Sequence, residues 1–107
     1  MANTFKRFTS NSVGTALATV YTVPSSTTTV LIGGVVSNVT SNTVNVTVTA
    51  TTSSTVINLI GEDTPIPAGT ALSFIDGKVV LETGDIIKVK SSAASSLDAH
   101  LSAMEIT

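Results

Sequence analysis

From Val44 to Thr49 the chain alternates strictly: Val44, Val46 and Val48 are separated by Asn45, Thr47 and Thr49. Successive side chains of an extended strand point to opposite faces, whereas a helix repeats every 3.6 residues. This segment is therefore a strand with one apolar face. A face of valines must be covered by a second layer, and the rest of the chain has to supply it.

It supplies more strands. Ala16 to Val23 ends at Pro24, and Ser25-Ser26 reads as a turn. Thr28 to Ser37 is apolar on both faces, and Gly33-Gly34 in its middle predicts a bulge or a close approach. Val56 to Ile60 is a short strand. Gly61 to Gly69 reads as the longest break, because Pro65 and Pro67 cannot donate to a ladder. Ala71 to Ile75 and Lys78 to Leu81 flank Asp76-Gly77, a dipeptide that predicts a hairpin because both positions tolerate positive φ. Ile86 to Lys90 follows. Leu97 to Ile106 sets Leu97, Ala99, Leu101 and Ala103 against Asp98, His100, Ser102 and Met104. No stretch has the period of a helix of normal length. The expectation is an all-β chain: a single antiparallel β-sandwich of about eight strands, jelly-roll or immunoglobulin-like, at residues 13–107. Residues 1–12 read as an extended N-terminal arm.

Composition narrows the function classes. The chain has 107 residues, enough for one domain. Only 11% of them are charged and the net charge is −2, against about 25% charged residues in an ordinary domain. Serine and threonine, 33 in all, keep the surface wettable instead. A surface with so little charge is easily desolvated and suits packing against other subunits. Disorder is excluded by the density of Val and Ile and the near-zero net charge. There is no cysteine, hence no disulfide or thiolate chemistry. The opening residues lack an apolar core, so no signal peptide is expected. The longest apolar run, Val30 to Val36, is too short for a membrane helix. Net acidity argues against nucleic acid as a partner.

Catalytic, metal and cofactor chemistry find no foothold. His100 is the single histidine, and its place in an alternating strand predicts a surface or subunit-contact residue. No serine sits in a G-x-S-x-G elbow. Glu62-Asp63 and Glu82 with Asp85 lie at turns, where acidic residues serve the backbone. Zinc is out of reach with one His and no Cys. No catalytic, metal-binding or cofactor-binding residue is assigned, no cofactor is expected, and the chain is read as a non-enzyme.

The candidate partner-binding residues are Phe5, Lys6, Arg7 and Phe8. They place two aromatics and two cations together, a composition typical of interface anchors. The competing reading is that Phe5 and Phe8 cap the domain's own core.

Several runs carry a family resemblance. These are Thr19-Val20-Tyr21-Thr22-Val23-Pro24, Ile66-Pro67-Ala68-Gly69-Thr70, the stretch from Val80 through Glu82-Thr83-Gly84-Asp85 to Lys90, and Ser96 to Ile106. Together they resemble small virion structural proteins of tailed bacteriophages. Those of marine cyanophage myoviruses are especially similar, down to the opening Met1-Ala2-Asn3-Thr4-Phe5-Lys6. The resemblance spans nearly the whole chain and rests on turn-and-strand signatures without chemical identity. It implies a β-sandwich in or on the particle: a capsid decoration or cement protein, or a neck or tail-associated subunit. The implied partners are major capsid or tail and neck proteins and copies of the chain itself, in a trimer or higher ring, with no nucleic acid and no membrane. The alternative is a host-receptor or carbohydrate-binding module of a fibre. Sugar sites favour exposed aromatics, and the chain has no Trp and one Tyr.

Overall fold

Ten strands follow one another among the described residues: β1 (Asn3–Val13), β2 (Ala18–Thr22), β3 (Thr28–Asn38), β4 (Val44–Thr52), β5 (Thr55–Asn58), β6 (Thr64–Ile66), β7 (Ala71–Ser73), β8 (Val79–Leu81), β9 (Ile86–Ser91) and β10 (Leu97–Ile106). The computed structural model describes residues 3–75 and 78–107, and among them there is no helix. The strands form two antiparallel sheets. The first has the order β1-β10-β3-β7, with β8 also on β3; the second has the order β2-β9-β4-β5, with β6 also on β4.

The two short pairs simplify this topology. β5 pairs Thr49–Thr52 of β4 and β6 pairs Val44–Val46, so they lie end to end along one edge. β7 and β8 do the same along β3, at Val35–Ser37 and Thr29–Leu31. With each pair taken as one position, eight positions remain, and the chain pairs first with last, second with seventh, third with sixth and fourth with fifth. That wrapping is a jelly roll. It decides between the two sandwich topologies left open by the sequence, because strand order is a matter of long-range pairing that no local period records.

The expected Asp76-Gly77 hairpin is corrected in the same way. The dipeptide itself lies outside the described residues. The strands on either side of it do not pair with each other; both run antiparallel to β3. Phe74 and Ile75 leave the ladder between them and turn into the core beneath Gly34. The break at 61–69 is likewise interrupted by β6, where Pro65 sits opposite Asn45 on an edge, the one place in a sheet that tolerates its missing N–H. Residues 1–12 read as an arm in the sequence; in the structure Asn3–Val13 is β1, paired with β10 from Asn3↔Ile106 onward.

The core lies between the sheets. Leu31, Val36, Leu81, Leu97, Leu101 and Ala103 face inward from the first; Val44, Val46, Val48, Ile87 and Val89 face inward from the second. Each large aliphatic side chain so buried contributes roughly 1.5 to 3 kcal/mol. The alternation predicted for β10 holds residue by residue. β3 bulges where Ser102 pairs with Gly33 and Ala103 with Leu31, leaving Ile32 as the extra residue.

Candidate functional site

β1 is an edge strand, and its register divides the four candidate residues. Lys6 pairs with Ala103 and Phe8 with Leu101, both inward positions of β10. Phe5 pairs with Met104 and Arg7 with Ser102, on the outer face. The sequence grouped the four together; the strand sends two to each side.

The inward pair closes one seam of the sandwich. Phe8 stacks on Tyr21 of β2, with ring centroids 4.0 Å apart and planes at 26°. Below them lies a buried polar chain. Lys6 Nζ stands 3.2 Å from Glu105 Oε1. The Tyr21 hydroxyl donates to Glu105 Oε2 at 2.6 Å and lies 2.6 Å from Thr29 Oγ1. Four strands, β1, β10, β2 and β3, thus meet at one carboxylate and link the two sheets. Glu105 is 6% exposed and Tyr21 5%, so each needs the other: a buried carboxylate without donors and a buried hydroxyl without an acceptor are both costly.

The titration of both groups follows from this geometry. The Tyr21 hydrogen bond holds the Glu105 carboxyl below its usual range, opposed by burial and assisted by Lys6. Burial, joined by the bond to Glu105, pushes the Tyr21 hydroxyl up to about 12 from 10.0. Between those two values the folded chain keeps a proton that the unfolded chain has lost. Stability is therefore complete below pH 10 and falls as pH rises towards 12, by about 2 to 3 kcal/mol from this group. Urea midpoints measured through that window are expected to fall more steeply for the parent than for Tyr21→Phe. Equal slopes would remove Tyr21 from the alkaline limb.

The outer face of the first sheet is a different surface. Phe5, Met104, Val30 and Val80 stand in register across β1, β10, β3 and β8. Phe5 is 74% exposed and Val80 64%. Ile32 and Val35 are also exposed on this side. Among the outward strand residues of this sheet only Arg7 and Asp98 carry formal charge. His100 is here too, exposed between Thr9 and Val35. The outer side of the second sheet is cationic: Lys88 and Lys90 project from β9 beside Thr49 and Thr47, which are themselves buried. Thr49 Oγ1 is buried without a partner.

Of the acidic residues at turns, Asp85 serves the backbone with its carboxylate, whereas Asp63 meets the Thr47 hydroxyl. Asp85 Oδ2 accepts the Glu82 N–H at 2.9 Å. Asp63, at φ 55°, donates its N–H to Thr47 Oγ1 at 3.1 Å. Among the described residues no three His, Cys, Asp or Glu side chains cluster as a metal site, and there is no concave pocket. No protein-family model, curated protein or solved structure matches this chain.

The Met104–Val30–Val80 row escapes sequence reading. Its members lie far apart along the chain and meet only through register. The one local signal is the excess of apolar residues at both alternating positions of Thr28–Ser37, a pattern that by itself predicts burial on two faces.

Proposed function

We propose that this chain is a non-enzymatic structural component of a tailed-phage virion, a capsid decoration or cement protein or a neck or tail-associated subunit. It packs against other virion proteins and against copies of itself, and its place is the particle. The observation that carries the reading is the outer face of the first sheet, where a four-strand apolar row lies open with almost no formal charge around it. Isolated soluble domains rarely leave such a row uncovered, and one rimmed by polar residues marks a protein contact. The resemblance of the chain to small virion proteins supplies the context. Jelly rolls serve capsids and lectins alike, so the fold by itself selects neither.

Phe5 and Arg7 are the residues that serve such a contact, while Lys6 and Phe8 hold the fold. A glycan-binding module would offer a shelf of aromatics; of the four aromatic side chains only Phe5 is exposed.

The test is the position of the protein in an intact particle. Antibody against the chain, applied as immunogold to purified particles of the phage that encodes it, is expected to decorate heads or tails at regular sites. Particles free of label and of the polypeptide, when the lysate contains it, would overturn the reading.

A further inference from the structure

We infer that the outer face of the first sheet is a two-fold contact with a second copy of this chain. The argument rests on three neighbouring rows of that face. The first is the ridge of Phe5, Met104, Val30 and Val80. The next holds Arg7, Ser102 and Gly33. Ser102 and Gly33 are small, and apart from its chain neighbours, of which Ile32 stands exposed on this face, a side-chain carbon placed on Gly33 would meet nothing closer than the Ser102 Cβ at 4.0 Å. Beyond them Thr9, His100 and Val35 rise again. A ridge therefore lies beside a dip at Ser102, one strand repeat away, with Arg7 and Ile32 standing on its two sides.

A surface with a ridge beside a dip is complementary to itself. Consider a two-fold axis lying in the contact plane, crossing the strands midway between those rows. It lays the ridge of each copy into the dip of the other. Met104, long and adaptable, enters the space over Ser102 and Gly33 of the second copy. The Phe5 ring comes over Arg7 of the second copy, and the converse pair forms at the same time; guanidinium on an aromatic face is an attractive contact. The only cation on the strands of this face is thus met by the only exposed aromatic ring.

Area and charge point the same way. About that axis four of the outward rows, about 6.8 Å apart on four strands about 4.8 Å apart, overlap and cover roughly 520 Å² per copy. Two copies bury about 1,040 Å², just above the roughly 1,000 Å² that a specific contact needs. A self-contact through the second sheet would instead bring Lys88 and Lys90 against their own copies. Neither lysine has an ion-pair partner among the described residues, so that face opposes self-association. A two-fold contact of identical patches is the commonest closed symmetry for a homo-oligomer.

The purified full chain tests this without any particle, so its outcome is separate from that of the virion reading. Sedimentation equilibrium over a roughly hundredfold span of concentration around the micromolar range is expected to show a monomer passing to a dimer. Met104→Arg is expected to weaken the dimer at least about tenfold. Because the chain has no cysteine, the register is read directly by cross-linking. An oxidised mixture of Met104→Cys and Ser102→Cys chains is expected to form the mixed disulfide dimer, while either variant alone does not. A chain that stays monomeric across the span, or closes as a trimer, overturns the inference. So does a Met104→Arg chain that is folded and dimerises as the parent does, or a Lys90→Cys chain that cross-links with itself as readily as the mixture.

Discussion

Gly34→Val is expected to lower the stability of the fold by about 3 kcal/mol or more, whereas Gly33→Ala, one residue away, stays within about 0.5 kcal/mol of the parent. The two glycines face opposite sides of β3. A Cβ on Gly34 would lie 2.6 Å from Phe74 Cζ, 2.7 Å from Cε2 and 2.9 Å from Ile75 Cγ1. These are overlaps, and both side chains that must move are buried. The Phe74 N–H also donates to the Gly34 carbonyl at 2.9 Å, so ring and backbone are fixed together. Valine adds two further carbons to the conflict. At Gly33 the nearest neighbour is 4.0 Å away on an open face. Urea denaturation of both variants, at concentrations where the chain is monomeric, compares them directly. A Gly34→Val midpoint equal to that of the parent would mean that Phe74 does not occupy the space beneath β3.

That site also shows what a local reading of the chain can and cannot reach. The Leu97–Ile106 alternation is a local property of an extended backbone, and the structure keeps it to the residue; Val44, Val46 and Val48 also face inward, but Thr47 and Thr49 on the opposite face are buried too. Asp76-Gly77 carries an equally local turn signal, yet the strands beside it join β3 instead of each other. The long free edge of β3 offers both of them a partner, and the space over Gly34 takes Phe74 and Ile75. β6 was hidden by Pro65, whose missing N–H matters in a central strand and not on an edge. β1 was hidden because, up to its bulge, Phe8 alone gives its inward side an aromatic or aliphatic anchor, among Thr4, Lys6 and Ser10, and Val13 joins only beyond the register shift. A lysine facing inward reads as solvent-exposed until its carboxylate, at the far end of the chain, is placed beside it.

That carboxylate gives the second large effect. Glu105→Ala is expected to destabilise the fold by about 3 kcal/mol at neutral pH, while Lys6→Met costs less than about 1 kcal/mol. The asymmetry follows from burial. The Lys6 side chain is 49% exposed and that of Glu105 is 8% exposed, so water takes over an ammonium freed at the edge. Nothing takes over for Tyr21, whose hydroxyl loses a charged acceptor and keeps only Thr29. The space left by the carboxylate adds a cavity term. The Tyr21→Phe change strands the same bond from the other side, so the double variant is expected to lose clearly less than the sum of the two single losses. Acid supplies an independent readout. The Glu105 carboxyl is held below its ordinary value in the folded chain, so in acid the unfolded chain takes up this proton first. The stabilisation is complete above the ordinary glutamate range near 4.5 and is lost as pH falls through the lower folded value. Glu105→Ala should therefore flatten the acid limb of the stability profile as well as lower its plateau. A variant that keeps the parent's acid limb would show that other carboxylates set it, and that the seam between β1 and β2 does not hang on this residue.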